Sequence, residues 1–410
     1  MPTSAAADMP SSTDGFLDRL LEAVHAELDG AVALRHHLHA TAEPSHAEEA
    51  TAATIAAALP VRAVTAAGTG RLARVGDSEG WAVAVRAELD GLPIQERTGA
   101  AFASRDGVMH ACGHDVHASA LVALVRAAHR LAGELPAPLL AVFQPSEEAY
   151  PSGAELLDRE GALGDRVRAV VGAHVHPDVP WGSLAVDDGP VNASSDVLAI
   201  TIEGSETHAA YPHMGRDAVL ALADAIVTLH TQAGRRLDPL AAAVGSVTQV
   251  RAGTAENAIP GEAQASVVVR ALSPADRALL LATVSEVMGA VARAHGCEAR
   301  VRLTSGEPVL DNDRTIVAAA RALAPQCGFV LAPRWRSCGS DDLAYFGTTA
   351  PLVMAFAGLA GAPGFVPRPL HHPEFLPPDA AVGAMARALA VLYVAAAQCP
   401  LPKAKEDTRT

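Results

Sequence analysis

DVLAITIEGSETHAAYPHMGRDAVLALADAIVTLHT, residues 196–231, opens on a strand with period-two apolar spacing at Val197–Ile202 and passes through a polar, glycine-containing loop. It then becomes a helix at Ala218–Thr231, and the pattern continues with strands near Val244–Val250 and Ala265–Arg270, a helix Pro274–His295 and a strand Ala299–Leu303. The order β-α-β-β-α-β predicts a ferredoxin-like unit. On both sides of it the grammar differs. Upstream, helix Ala118–Leu131, strand Leu139–Phe143, a helix near Ala154 and strand Ala169–Val175 alternate. Downstream come helix Thr315–Ala324, strand Leu352–Phe356 and helix Ala380–Ala397. That alternation predicts a mostly parallel sheet. The expected fold class is α/β, with a larger part over 14–193 and 304–400 interrupted by a small domain over 194–303.

Toward the N-terminus, Leu17, Leu20, Leu21, Val24 and Leu28 recur at helical spacing with Asp14 as N-cap, and a second helix over Ala47–Leu59 stops at Pro60. Short apolar runs at Val61–Thr65 and Trp81–Val85 read as strands. The first dozen residues are expected to be disordered and the tail LPKAKEDTRT frayed.

At 410 residues the chain is long enough for two to three domains. Hydrophobic residues make up 50% but aromatics only 4%, so alanine and valine must fill the core. A net charge of −15 argues against nucleic acid or an anionic membrane as partner. The start MPTSAAADMPSSTDGF has no basic region followed by an apolar run, and no stretch of about 20 consecutive apolar residues occurs, so a cytoplasmic enzyme is expected. Five scattered cysteines do not form a disulfide framework.

Chemistry concentrates in MHACGHDVH, Met109–His117. Read as extended backbone, it turns Cys112 and His114 to one side, with Gly113 allowing close approach and Asp115 orienting a ligand from behind. Three further places carry ligand-type residues: Glu147-Glu148 after LLAVFQP, His174 closing AVVGAH, and His371 in LHHPEF. Taken alone, the Glu pair is an acidic helix first turn and His174 a core histidine. Together they lie near strand ends, where ligands collect in open α/β sheets. Cys112, His114, Glu148, His174 and His371 exceed the four ligands of a closed zinc site and leave Glu147 over. Two ions sharing a bridging ligand fit better. Two protein charges against four metal charges leave such a site electrophilic, as hydrolysis of an anionic or carbonyl substrate requires.

Other motifs are weaker. Gly68-x-Gly70-x-x-Ala73 mimics a dinucleotide loop but breaks at Gly76, which predicts a glycine-rich hairpin. HExxH and GxxxxGK[ST] signatures are missing, and a metal-bound Cys112 is a poor nucleophile.

Over about Arg35 to Ala396 the chain resembles the metal-dependent aminoacylase, hippurate hydrolase and indole-acetyl-amino-acid hydrolase group of dinuclear amidohydrolases. The matching segments are RAELDGLPIQE at Arg86–Glu96, GVMHACGHDVH at Gly107–His117, FQPSEE at Phe143–Glu148, GAHVHP at Gly172–Pro177, HAAYPHMGRDAV at His208–Val219, NAIP at Asn257–Pro260 and LHHPEF at Leu370–Phe375. The resemblance implies that Cys112, His114, Glu148, His174 and His371 bind two divalent transition-metal ions (manganese, zinc, nickel or cobalt), with Glu147 as general base and acid. It implies that the inserted unit serves as lid and dimerisation surface, and that His208 reaches a homodimer partner's site to stabilise the oxyanion. Asn257 and Arg270 would hold the substrate, and Asp90 and Asp115 would support the ligands. The implied reaction is cleavage of N-acyl amino acids. A carboxypeptidase or dipeptidase on the same scaffold and a non-catalytic metal-dependent binding protein are the alternatives.

The chain departs from the family pattern at several positions. Glu88 replaces Asp, Gly204-Ser205-Glu206-Thr207 replaces a glycine-rich lead-in to His208, Gly339-Ser340-Asp341-Asp342 replaces GSED, and Ala149-Tyr150-Pro151 replaces glycines. These differences bear on substrate choice and lid geometry, with Tyr150 narrowing the acyl pocket, while every metal-binding position is kept.

Overall fold

A computed structural model describes residues 14–401. The expected disordered start and all but the first residue of the expected frayed tail lie outside these described residues. The chain divides into two compact units. One holds the chain up to Gly189 with Asn312–Trp335 and everything from Tyr345 onward; the other holds Pro190–Asp311 with Arg336–Ala344.

The first unit is built on an eight-stranded sheet in the order Ala63–Ala66, Gly70–Val75, Leu139–Gln144, Ala82–Glu88, Val167–Pro180, Leu352–Ala360, Ser183–Ala185, Val330–Leu331. Its four middle strands run parallel, and antiparallel pairings appear toward both margins. Along the parallel strands, Val83, Val85, Ala87, Leu139, Ala141, Phe143, Ala169, Val171, Ala173 and Val175 enter the hydrophobic core. The polar Arg86, Glu88, Gln144 and His174 fall on the alternate positions. Helices His114–Arg130 and Ala380–Gln398 pack against this sheet and each other. Small side chains permit that close approach. Ala380–Gln398 is long and apolar enough to cross a membrane, yet 89% of its apolar window is buried within the unit, as in a core helix.

Several local expectations are revised. The first helical pattern is two helices, Asp14–His25 and Leu28–Ala40, so Leu28 opens the second helix instead of closing the first. The strand carrying His174 continues to Pro180, so His174 lies within it and not at its end. The Gly68 segment is a hairpin, with Ala67 and Gly68 in the left-handed region between two antiparallel strands. Most important for the site, Met109–His117 is not extended. Gly113 has φ +89° and caps helix His114–Arg130, which begins four residues earlier than its apolar pattern suggested. Cys112 and His114 are therefore set apart by a turn into a helix.

The second unit has strand order Ala243–Ala252, Glu262–Ala271, Ser194–Glu203, Glu298–Ser305, all antiparallel. This is the ferredoxin-like arrangement. Helices Ala218–Arg236 and Pro274–Ala294 cover one face and bury Ala221, Leu222, Leu229, Leu280 and Val284 against Leu198, Ile200, Ile202, Val267 and Val269. Asp217 and Ser273 cap the two helices by accepting the amides of Leu220 and Asp276. The unit also takes in Arg336–Ala344, which lies well beyond the expected boundary at 303. Backbone bonds from Ser337 N–H to Val191 C=O (2.9 Å) and from Ala193 N–H to Gly339 C=O (3.0 Å) tie that segment to it.

A Cβ at Gly113 would lie 2.6 Å from Val175 Cγ2 on a backbone that L side chains rarely adopt. Gly113→Ala is therefore expected to lose about 1–3 kcal/mol of stability in urea titrations. Gly133→Ala, where a Cβ meets nothing within 4 Å, serves as the control and should stay close to wild type. Equal midpoints for the two variants would contradict the steric account.

Candidate metal centre

Asp90, just beyond the end of strand Ala82–Glu88, organises the centre. Its backbone carbonyl accepts His114 Nδ1–H at 2.9 Å, and its Oδ2 accepts the Glu148 amide at 2.9 Å and Ser45 Oγ–H at 2.7 Å. Burial opposes the Asp90 charge, but His114, the Glu148 amide and Ser45 outweigh it and hold the carboxyl at about 2. With Nδ1 committed as donor, His114 turns its Nε2 inward. That atom is buried without a hydrogen-bond partner, 3.9 Å from both Glu147 Oε2 and Glu148 Oε1.

The remaining residues arrive from three loops and a strand. Ser146 has φ +50°, and its amide donates to buried Glu48 (2.7 Å), which bends the chain just before the Glu pair. Gly153 closes this loop because a Cβ there would sit 1.7 Å from the Pro145 carbonyl oxygen. His371, at φ +65°, is anchored by its amide on Ala111 C=O (2.9 Å) and brings Nε2 to 3.2 Å from Glu148 Oε1. His174 donates Nδ1–H to the Val175 carbonyl (2.6 Å) and presents Nε2 3.3 Å from Cys112 Sγ.

Ligand atoms of Cys112, Glu148 and His371 lie within 4.8 Å of one another, as do those of His114, Glu147 and Glu148. Glu148 belongs to both groups. The five ligand-type residues and Glu147 thus converge on one place in the first unit. Burial, then Glu148, Glu147 and Glu88, push the Cys112 thiol well above its ordinary range. Burial opposes a charge on His114, but Glu88, Asp90 and Glu148 overcome it and raise it to about 10. Such a cage attracts cations. His114 Nε2 and Glu148 Oε1, both buried without a hydrogen bond, with a thiol and two more imidazoles beside them, fit divalent transition ions, which would displace these protons.

Asp115 does not orient a ligand as expected. Its Oδ2 accepts Arg35 Nε–H (2.8 Å) and bonds His39 Nδ1 (2.9 Å), because the helix start directs it away from the ligand atoms toward helix Leu28–Ala40. Asp90 supports His114 instead. Sequence reading also missed a buried group beside the ligands. Glu88 Oε2 accepts His117 Nδ1–H at 2.8 Å, Glu88 Oε1 pairs with Arg86, and Arg86 Nε–H donates to Gln144 (2.8 Å). Burial opposes the Glu88 charge, but Arg86, His117 and His114 hold its carboxyl well below the usual range. The available signal was a single Arg-x-Glu pair, Arg86 and Glu88, on alternate positions of an otherwise apolar strand.

In the second unit, His208 is exposed on a two-residue strand paired with Ala258–Ile259, and Ala209 N–H donates to Asn257 C=O (2.9 Å), so His208 and Asn257 are neighbours. His208 Nδ1 accepts the Ala210 amide at 3.1 Å, which leaves Nε2–H as an outward donor. Arg270 uses Nη1 on Cys338 C=O (3.1 Å).

Among known proteins, the chain is 34% identical over 357 residues to an N-acetyl-L-cysteine deacetylase of Bacillus subtilis, covering 86% of this chain and 84% of that one. It is 34% identical to an N-acyl-L-amino acid amidohydrolase of Geobacillus stearothermophilus, over 72% and 81% of the two chains. Among solved structures, a dinuclear metal-binding peptidase of the M20 family from Bacillus subtilis superposes with a TM-score of 0.79 at 30% identity, covering 90% of this chain and 98% of that one. The model of peptidase family M20/M25/M40 matches residues 84–394, a span that contains every ligand-type residue of the centre. This chain therefore belongs to peptidase family M20/M25/M40.

Proposed function

We propose that the chain is a metal-dependent amidohydrolase that cleaves the amide of N-acyl amino acids to a carboxylic acid and a free amino acid. The observation that carries this reading is the pair of donor groups sharing Glu148, one of which includes a second carboxylate, Glu147. Amidohydrolase and deacetylase names among the relatives support the substrate class.

Cys112, His114, Glu148, His174 and His371 would hold two divalent ions of manganese, zinc, nickel or cobalt. When bound, the ions act as Lewis acids that polarise the scissile carbonyl and acidify water. Glu147 takes a proton from the attacking water and, as the carbon–nitrogen bond breaks, returns it to the leaving nitrogen. Asp90 keeps His114 Nδ1 protonated and Glu148 in register. Asn257 and Arg270 are the proposed anchors for the substrate carboxylate. In a homodimer, His208 of one subunit's lid serves its partner's site. Its outward Nε2–H is the tautomer needed to donate to an oxyanion. Five unpaired cysteines agree with a reducing, cytoplasmic setting.

With N-acetyl amino acids as substrate, Glu147→Gln should keep its metal and lose on the order of 10²-fold or more in kcat. Glu148→Gln should instead lose metal, as elemental analysis would register. Matching or exchanged phenotypes would overturn the two roles, and faster turnover of dipeptides than of acyl amino acids would overturn the substrate class. For His208, two nearly inactive variants, His208→Ala and Glu147→Gln, are co-refolded. Mixed dimers then contain one complete site, so roughly a quarter of wild-type activity should return. No recovery in verified mixed dimers would exclude action across the interface.

A further inference from the structure

Glu88 and His117 are fully buried beside the metal centre, and no step of the hydrolysis uses them. Each is about 1% exposed. His117 lies one turn beyond His114 on the same helix, so it could have been a further ligand; the ligand atoms of Glu88, His114, His117 and His174 do lie within 4.8 Å of one another. The hydrogen bonds exclude that role. His117 Nε2 accepts the Val175 amide at 3.0 Å, so Nε2 has no lone pair to give, and Nδ1 must carry the proton donated to Glu88 Oε2 at 2.8 Å. Glu88 in turn is held by Arg86, and Arg86 by Gln144.

Val175 is the residue that this chain of bonds reaches. Its amide is fixed by His117, and its carbonyl accepts Nδ1–H of His174 at 2.6 Å. That last bond leaves the His174 lone pair on Nε2, 3.3 Å from Cys112 Sγ. We infer that Arg86, Glu88 and His117 form a positioning relay that clamps Val175 and thereby fixes the ring orientation and tautomer of the ligand His174. Glu88 spans from the strand to His117. An anion at Glu88 selects the Nδ1–H tautomer of His117. Only that tautomer can receive the Val175 amide, and the amide sets the peptide from which His174 hangs. His117 touches neither substrate nor reacting atoms and acts through His174 alone.

This inference rests on the proposed role of His174 as a ligand, and cobalt(II) titration of the metal-free full-length chain separates the two claims. Binding is followed by equilibrium dialysis and by the visible ligand-field spectrum of the bound cobalt. His174→Ala should abolish one cobalt site; if it leaves stoichiometry and spectrum unchanged, the ligand assignment fails, whatever the relay does. With that assignment in hand, His117→Phe should weaken cobalt binding by about 10- to 100-fold and shift the spectrum. His117→Gln, whose amide oxygen can still receive the Val175 amide, should recover most of the affinity and the wild-type spectrum. Glu88→Gln, which keeps volume and removes the anion, should move both readouts in the same direction as His117→Phe, by less. Wild-type affinity and spectrum in folded His117→Phe would overturn the relay, as would His117→Gln behaving like His117→Phe. Should His117→Phe fail to fold, the same wild-type result in Glu88→Gln overturns it.

Discussion

The double use of Asp90 is the constraint on which the metal centre depends. One residue, placed just past a parallel strand, accepts the ring of His114 on its backbone carbonyl and the amide of Glu148 on its carboxylate. His114 heads a helix and Glu148 lies in a loop after the neighbouring strand, so two elements far apart in sequence are set in register by a single side chain and its own peptide. The carboxylate is worth more here than on a surface. It is buried, it accepts an oriented amide and the Ser45 hydroxyl with the His114 ring beside it, and the group stays ionised despite the cost of burial.

Around that anchor the protein accumulates an excess of buried donors. Cys112, His114, Glu148 and His174 are buried or nearly so, and the His114 and Glu148 atoms that face each other lack hydrogen bonds. Left to itself such an arrangement is unfavourable, because unpaired buried polar atoms forfeit hydration without recompense. Bound cations reverse the sign, and binding energy becomes folding energy. The backbone contributes too. Ser146 and His371, both near the centre, hold left-handed conformations that non-glycine residues seldom adopt, and each is kept there by a hydrogen bond donated from its backbone amide to a distant partner.

Much of this was legible in the sequence. Alternating strand and helix patterns gave the parallel sheet, and the change of rhythm after Asp196 marked the ferredoxin-like unit, because period-two and helical spacings are local signals. All five ligand-type residues and Glu147 lie together in the first unit. The misreadings share a cause. MHACGHDVH contains no signal that distinguishes an extended segment from a turn into a helix, since Gly113 is compatible with both. Asp115 was consequently aimed at the ligands when the helix directs it to Arg35 and His39. The pairing of Glu88 with His117 was not legible, although Glu88 stood out as a departure from the family pattern, because it depends on which helix face meets which strand end. The return of Arg336–Ala344 to the second unit depends on backbone bonds to residues nearly 150 positions earlier.

The central claim is that one cage, with Glu148 common to both donor groups, holds two ions. The most direct measurement is elemental analysis of the full chain after loading with manganese or zinc and removal of free metal by gel filtration, paired with isothermal titration of the metal-free chain. Two divalent ions per chain, falling to fewer in Glu148→Gln, is the predicted result. A reproducible single ion per chain in fully active protein would contradict it.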